Sequence, residues 1–187
     1  MRFLFLAALL FAPAAWAQAD LVKLLRDGGH VLYMRHASTD FSQNDARMKD
    51  YDDCANQRNL TDKGRAEARA VGAHLRRLNV SVIDVLASPF CRTMETARLV
   101  FGRGTATLEL RGGPGTAGAP ARYAALKELL SEKGNRTLAL VGHGNPFHAL
   151  AGPPYLAEGE IAIVRPEGDS KFTVVGRIRV EQWEAVK

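Results

Sequence analysis

Apolar and polar positions alternate along this chain in blocks that switch between two periods. A short amphipathic start, ADLVKLLRDGG, precedes HVLYM, a continuous apolar run bounded by Gly28-Gly29 and by polar residues, which reads as a buried strand. Residues 37–60 carry little periodicity and many Asp, Asn, Gln and Arg, the mark of a long loop. In LTDKGRAEARAVGAHLRRLN the positions Ala66, Ala70, Val71, Ala73, Leu75 and Leu78 form a broad apolar face behind Thr61 or Asp62 as N-cap, which predicts a helix. VSVIDVLAS reads as a second strand, PFCRTMETARLVF as a helix with Pro89 in its first turn, and TATLEL as a third strand. A Gly/Ala/Pro loop, RGGPGTAGAP, leads to a helix in ARYAALKELLSEKG ended by Gly134, and then to the strand TLALVGH. The tail, EIAIVRPEGDSKFTVVGRIRV, is two β-rich runs around a turn, an antiparallel hairpin. The alternation predicts an α/β sandwich with a mostly parallel sheet and an antiparallel C-terminal edge.

The first residues break the pattern. Arg2 is followed by an apolar run that closes on Ala15-Trp16-Ala17, a small-x-small cleavage pattern. The run is shorter than the ~20 residues of a spanning helix, and Pro13 interrupts it. Residues 1–17 therefore read as a signal peptide of an exported, periplasmic or secreted protein, and 18–187 as a single domain with no stable membrane insertion after cleavage. The whole chain has 25 Lys and Arg against 20 Asp and Glu, and removing Arg2 leaves 24 against 20, a formal net charge of +4. These charges are spread evenly, without the basic block that nucleic-acid binding requires. A small anionic partner suits the balance better. The two cysteines, Cys54 and Cys91, fall in an exported portion where thiols are oxidised, and a disulfide between them is favoured over two free thiols. Neither belongs to a metal-binding cluster, and His30, His74 and His148 read as structural.

Chemistry in open α/β sheets gathers beyond the carboxyl ends of the strands. The first strand delivers Arg35 and His36, the second Ser88-Pro89-Phe90-Cys91-Arg92, and the fourth Gly142-His143-Gly144-Asn145. A neutral histidine is a competent nucleophile, and arginine forks pair bidentately with phosphoryl oxygens. Two arginines and a second histidine would stabilise the charge of a transferring phosphoryl group without a metal. Gly142 and Gly144 would let the backbone approach the anion closely.

LYMRHAST, NLTDKGRAEA, VLASPFCRTMETA and LALVGHGNPF resemble the four successive blocks of the histidine phosphatase superfamily, which includes phosphoglycerate mutases and many phosphatases. The resemblance spans about His30 to Leu150. It implies a three-layer α/β/α sandwich, His36 as the residue that becomes phosphorylated, and Arg35, Arg92 and His143 as phosphate-binding and catalytic partners, with no cofactor. The small exported or phosphohistidine-directed members look more similar than the mutases. Two positions depart from the pattern. The usual glycine after Arg-His is Ala37, and Gly112 stands where many members carry a glutamate that protonates the leaving oxygen. Glu109 is the nearest candidate proton donor; Asp40, Asp45, Asp50, Asp52, Asp53, Glu158 and Glu160 are the other acids within loops. The expected activity is hydrolysis of a phosphomonoester or phosphohistidine, on a small molecule or a phosphoprotein, through a covalent phosphohistidine. The alternatives are an idle phosphate- or sugar-phosphate-binding protein or, less favoured, a phosphomutase. Nothing in the sequence sets an oligomeric state.

Overall fold

The computed structural model describes residues 14–112 and 123–187. Most of the expected signal peptide, 1–13, and most of the Gly/Ala/Pro loop, 113–122, lie outside the described residues. The described elements run α1 (Ala14–Asp27), β1 (Val31–Arg35), α2 (Asp62–Arg77), β2 (Val82–Ala87), α3 (Cys91–Phe101), β3 (Thr105–Ala106), α4 (Ala124–Ser131), β4 (Thr137–Gly142), α5 (Gly144–Ala151), β5 (Ile161–Gly168) and β6 (Lys171–Ile178), with short 3-10 turns between some of them. No described helix is long and apolar enough to cross a membrane.

Alternation on the strands builds two cores. In β1, Leu32 and Met34 join one apolar cluster while Val31 and Tyr33 join the other, as successive strand residues point to opposite faces. Ala139 and Val141 of β4 and Ile161 and Ile163 of β5 follow the first face; Leu138, Leu140, Ala162 and Val164 follow the second. Val22 and Leu25 of α1, Val71 and Leu75 of α2, and Ala97 and Val100 of α3 cover the first face. Leu126 and Leu130 of α4 and Phe147 of α5 cover the second. The result is the three-layer α/β/α sandwich. Its six strands lie in the order β3-β2-β4-β1-β5-β6. β1, β2, β3 and β4 pair in parallel, and β5 and β6 run antiparallel at the edge.

Helix starts follow local chemistry. Thr61 is extended and its side chain accepts from the Gly64 N–H, so it is the N-cap of α2. Gly64 itself is required by packing, because a Cβ there would lie 2.1 Å from the Ser38 carbonyl oxygen.

Three boundaries differ from the sequence reading. TATLEL forms a strand only at Thr105–Ala106 and then closes into a 3-10 turn at Leu108–Leu110; β3 is an edge with β2 alone as partner, so nothing on its far side holds it extended. Pro89 precedes α3 rather than sitting in its first turn, because Phe90 is the N-cap. The α4 helix ends at an extended Glu132, two residues before Gly134.

Candidate phosphate-binding site

The carboxyl ends of β1, β4 and β2 are stitched together by backbone hydrogen bonds that continue past the strands. The His36 N–H donates to the Gly142 carbonyl and the Ser88 N–H to the Val141 carbonyl. Arg35, His36, Ser88 and His143 are therefore held by the sheet itself. The Ala37 N–H donates to Thr96 Oγ1, and Thr96 Oγ1 donates to the Arg92 carbonyl, which ties the β1 junction to α3.

The four residues expected to act together line one cavity of about 220 Å³. His36 is buried, and its Nδ1 lies 3.0 Å from the Ala37 carbonyl oxygen. A carbonyl can only accept, so Nδ1 carries the ring proton and Nε2 keeps its lone pair. Burial, reinforced by the charges of Arg92, Arg35 and Arg58 and opposed by the Ala37 carbonyl, pushes the His36 pKa down to about 3. His143 caps the N-terminus of α5 and is held well below the usual histidine range, first by burial and then by His36 and the arginines. Its Nε2 lies 2.9 Å from Ser88 Oγ. The Phe90 ring meets it edge-on with centroids 5.1 Å apart.

Each arginine has its own anchor. Arg35 donates to the Leu156 carbonyl and to Glu158, which also accepts from the Thr39 N–H and hydroxyl. Arg92 lies over the Phe90 ring and forms a two-pronged pair with Asp45, at 3.0 and 3.1 Å. A third guanidinium, Arg58, lines the same cavity and lies over the exposed Phe41 ring. Among the described residues the Nε atoms of Arg35, Arg58 and Arg92 are buried without a hydrogen-bond partner, and the three guanidiniums meet one carboxylate, Asp45, in the cavity lining. This excess of fixed N–H groups and positive charge suits an anion with several oxygens.

Arg58 is the site residue the sequence reading did not name, and Asp45, named there only among several loop acids, is the one of them that pairs with Arg92 at the cavity. Both come from the loop of residues 37–60, and their only sequence signal was that a long polar loop in a compact domain tends to be functional. Cys54 and Cys91 form the favoured disulfide, which fastens this loop to the first residue of α3, beside Arg92.

Two further expectations need correction. Glu109 sits exposed in the 3-10 turn after β3 and is not among the cavity-lining residues; the strand that would have carried it is too short. Gly112 lines the cavity in its place, against the His143 ring, where a Cβ would come within 3.1 Å. Gly142 and Gly144 serve packing: a Cβ on Gly142 would lie 2.4 Å from the Tyr33 hydroxyl oxygen, and one on Gly144 would lie 2.3 Å from the Tyr155 ring.

Residues 31–113 match the model of the histidine phosphatase superfamily, branch 1. The match runs from β1 to the segment after β3, less than half of the chain. No curated protein matches the sequence. Among solved structures, the histidine phosphatase fold is shared with the protein histidine phosphatase SixA complexed with tungstate, at 21% identity and a TM-score of 0.58 over 82% of this chain and 98% of that one. An Entamoeba histolytica phosphoserine phosphatase bound to phosphoserine aligns at 12% identity and 0.56, over 81% and 98%. A Mycobacterium tuberculosis protein aligns at 20% identity and 0.54, over 79% and 97%. The family match therefore covers β1 through Gly112, and at the His143 junction the likeness is one of fold.

Proposed function

We propose that this protein is an exported phosphatase that hydrolyses a phosphomonoester or a phosphohistidine through a covalent phosphohistidine on His36. The observation that carries the reading is the Nδ1 contact of His36 with the Ala37 carbonyl: the ring is neutral, its tautomer is fixed, and Nε2 is free to attack. An idle binding protein would have no need of a nucleophile prepared in this way.

Catalysis proceeds in two displacements. The Nε2 lone pair attacks phosphorus while the bond to the leaving oxygen breaks. Arg35, Arg58 and Arg92 neutralise the equatorial oxygens, which is the main demand of phosphoryl transfer. The contact of Ser88 Oγ with Nε2 of His143, at 2.9 Å, holds that neutral ring in place beside the phosphoryl site. Water then attacks the phosphohistidine, the N–P bond breaks, and His36 regains its lone pair. Export is supported by the N-terminal pattern of residues 1–17 and suits the Cys54–Cys91 disulfide, which oxidising compartments preserve. The test is incubation with an aryl phosphate. Wild type should hydrolyse it and carry an acid-labile phosphoryl group that His36→Ala lacks; equal hydrolysis by both proteins would sink the reading.

A further inference from the structure

Arg92 differs from the other cavity arginines in one respect: its fork is closed by a carboxylate that itself lines the cavity. Arg35 also has a carboxylate partner, Glu158, but that residue is not among the lining residues. The loop after β3, residues 111–122, contains no Asp or Glu in its sequence RGGPGTAGAPAR. Glu109 is exposed outside the cavity, and Glu160 is buried against the Ala157 N–H. Among the described residues, Asp45 is thus the one carboxylate that lines the cavity; Glu158 stands on the Nδ1 side of His36, at 3.9 Å, where it also accepts from Arg35 and Thr39.

We propose that Asp45 is the proton donor to the leaving oxygen, exchanging places with the phosphoryl group on Arg92, and that the substrate class is alkyl phosphomonoesters. This deepens the phosphatase reading and rests on it. In the free protein Asp45 occupies the Arg92 fork as a two-oxygen stand-in for a phosphoryl group. An arriving phosphoryl group takes over the fork. The backbone N–H of Arg58, whose nitrogen is 2.8 Å from Oδ1, holds the carboxylate at the cavity wall while Oδ2 comes free. In the substrate complex the freed Oδ2 carries a proton taken up from solvent with the arriving phosphoryl group. That proton goes to the leaving alkoxide as the P–O bond breaks and the His36 N–P bond forms. In the second displacement the Asp45 carboxylate takes a proton from water, whose oxygen attacks phosphorus, so the acid is restored. Such a donor matters for an alkoxide leaving group and hardly at all for phosphohistidine or an activated aryl ester.

The test compares wild type, Asp45→Asn and Asp45→Glu on p-nitrophenyl phosphate and on a panel of polyol and sugar phosphates, with inorganic phosphate as inhibitor. Asp45→Asn is expected to lose ~10²–10⁴ in kcat on the alkyl esters, and less than about tenfold on the aryl ester, where no proton is needed. Asp45→Glu should recover part of the alkyl activity. Inorganic phosphate should inhibit Asp45→Asn at lower concentration than wild type, because the competing carboxylate is gone. Equal losses on both ester types would make Asp45 a positioning residue and overturn the proposal, as would unchanged alkyl activity or a variant that does not fold while Asp45→Glu retains no leaving-group dependence. Wild type that turns over only the aryl ester overturns the substrate class and leaves the phosphatase reading standing. Wild type that hydrolyses neither ester and forms no phosphohistidine removes both.

Discussion

The imidazole of His36 faces the carbonyl of the next residue, Ala37, with Nδ1 3.0 Å from the oxygen. This single contact decides which ring nitrogen can react, and burial decides that the ring stays neutral, with its pKa near 3 instead of 6.5. An unfolded chain binds a proton on His36 near its ordinary value, whereas the folded chain does so only at much lower pH. Stability must therefore fall as pH drops from about 6.5 toward 3, since the unfolded state holds more protons in that window. His143 has the same sign. Activity should show no inflection at the usual histidine pKa once the substrate's own ionisation, near ~6, is accounted for. Melting temperatures between pH 7 and 4, compared with those of His36→Gln, check the first expectation: the variant's slope should be shallower. A kcat profile that titrates near the ordinary histidine value would contradict the second.

Ser88 is fully buried and spends its hydroxyl on His143 Nε2. Ser88→Ala should free the His143 ring to turn, with a loss in kcat of roughly three- to tenfold, the equivalent of one hydrogen bond of ~0.5–1.5 kcal/mol. Single-turnover formation of the phosphoenzyme measures it directly. An unchanged rate would mean that the Phe90 and Gly112 contacts alone orient the ring.

What the sequence made legible were the junctions. Arg35-His36, Ser88 through Arg92, and Gly142-His143 are each a local strand-to-loop signal, and the sheet brings them together by pairing rules that hold for any chain of this pattern. The caps were local too, as Thr61 shows. Asp45 could not be told from the other loop acids, and Arg58 escaped, because their roles depend on contacts with Arg92, 47 and 34 residues further on, within a loop whose side chains have no period to read. The short β3 and the displaced Glu109 escaped because TATLEL alternates correctly but lies on an edge, where one neighbour must do what two do elsewhere. Gly112 was identified as the residue in the acid's usual place. Its role against His143 emerged only in three dimensions.

The Cys54–Cys91 bridge closes a loop with a sequence separation of 37. Chain entropy for a loop of that size is worth about 4 kcal/mol, and measured disulfides commonly give 2–4. Cys54→Ala with Cys91→Ala, or reduction by dithiothreitol, should lower unfolding free energy within that range in urea titrations. The KM for an aryl phosphate should rise more than kcat falls, since Asp45 and Arg58 lose their tether while His36 stays in the sheet. A fall in kcat with an unchanged KM would argue against this division.

Gly142→Ala would drive a Cβ to within 2.4 Å of the Tyr33 hydroxyl oxygen, which itself donates to the His143 carbonyl. Overpacking of this kind costs about 1–3 kcal/mol. Tyr33→Phe removes the obstructing oxygen at the expense of its hydrogen bond. The double variant should therefore be more stable than the sum of the two single losses predicts, with coupling of at least ~0.5 kcal/mol. Strict additivity in chemical denaturation would show that the backbone moves aside instead.

The stitching of His36 and Ser88 to β4 has a consequence for how such a protein can change. The nucleophile shares its backbone with the scaffold, so nothing can shift the reacting nitrogen without deforming three strands at once. The wall that meets the rest of the substrate comes instead from the loop of residues 37–60, which is tied to α3 by the Cys54–Cys91 bridge, by the Cys91 N–H donating to Gln57 and by the Asp45–Arg92 pair. Variation can therefore rewrite the stretches of the loop between Ala37, Asp45 and Arg58, exchanging one clientele for another, while those three residues and the nucleophile stay in place.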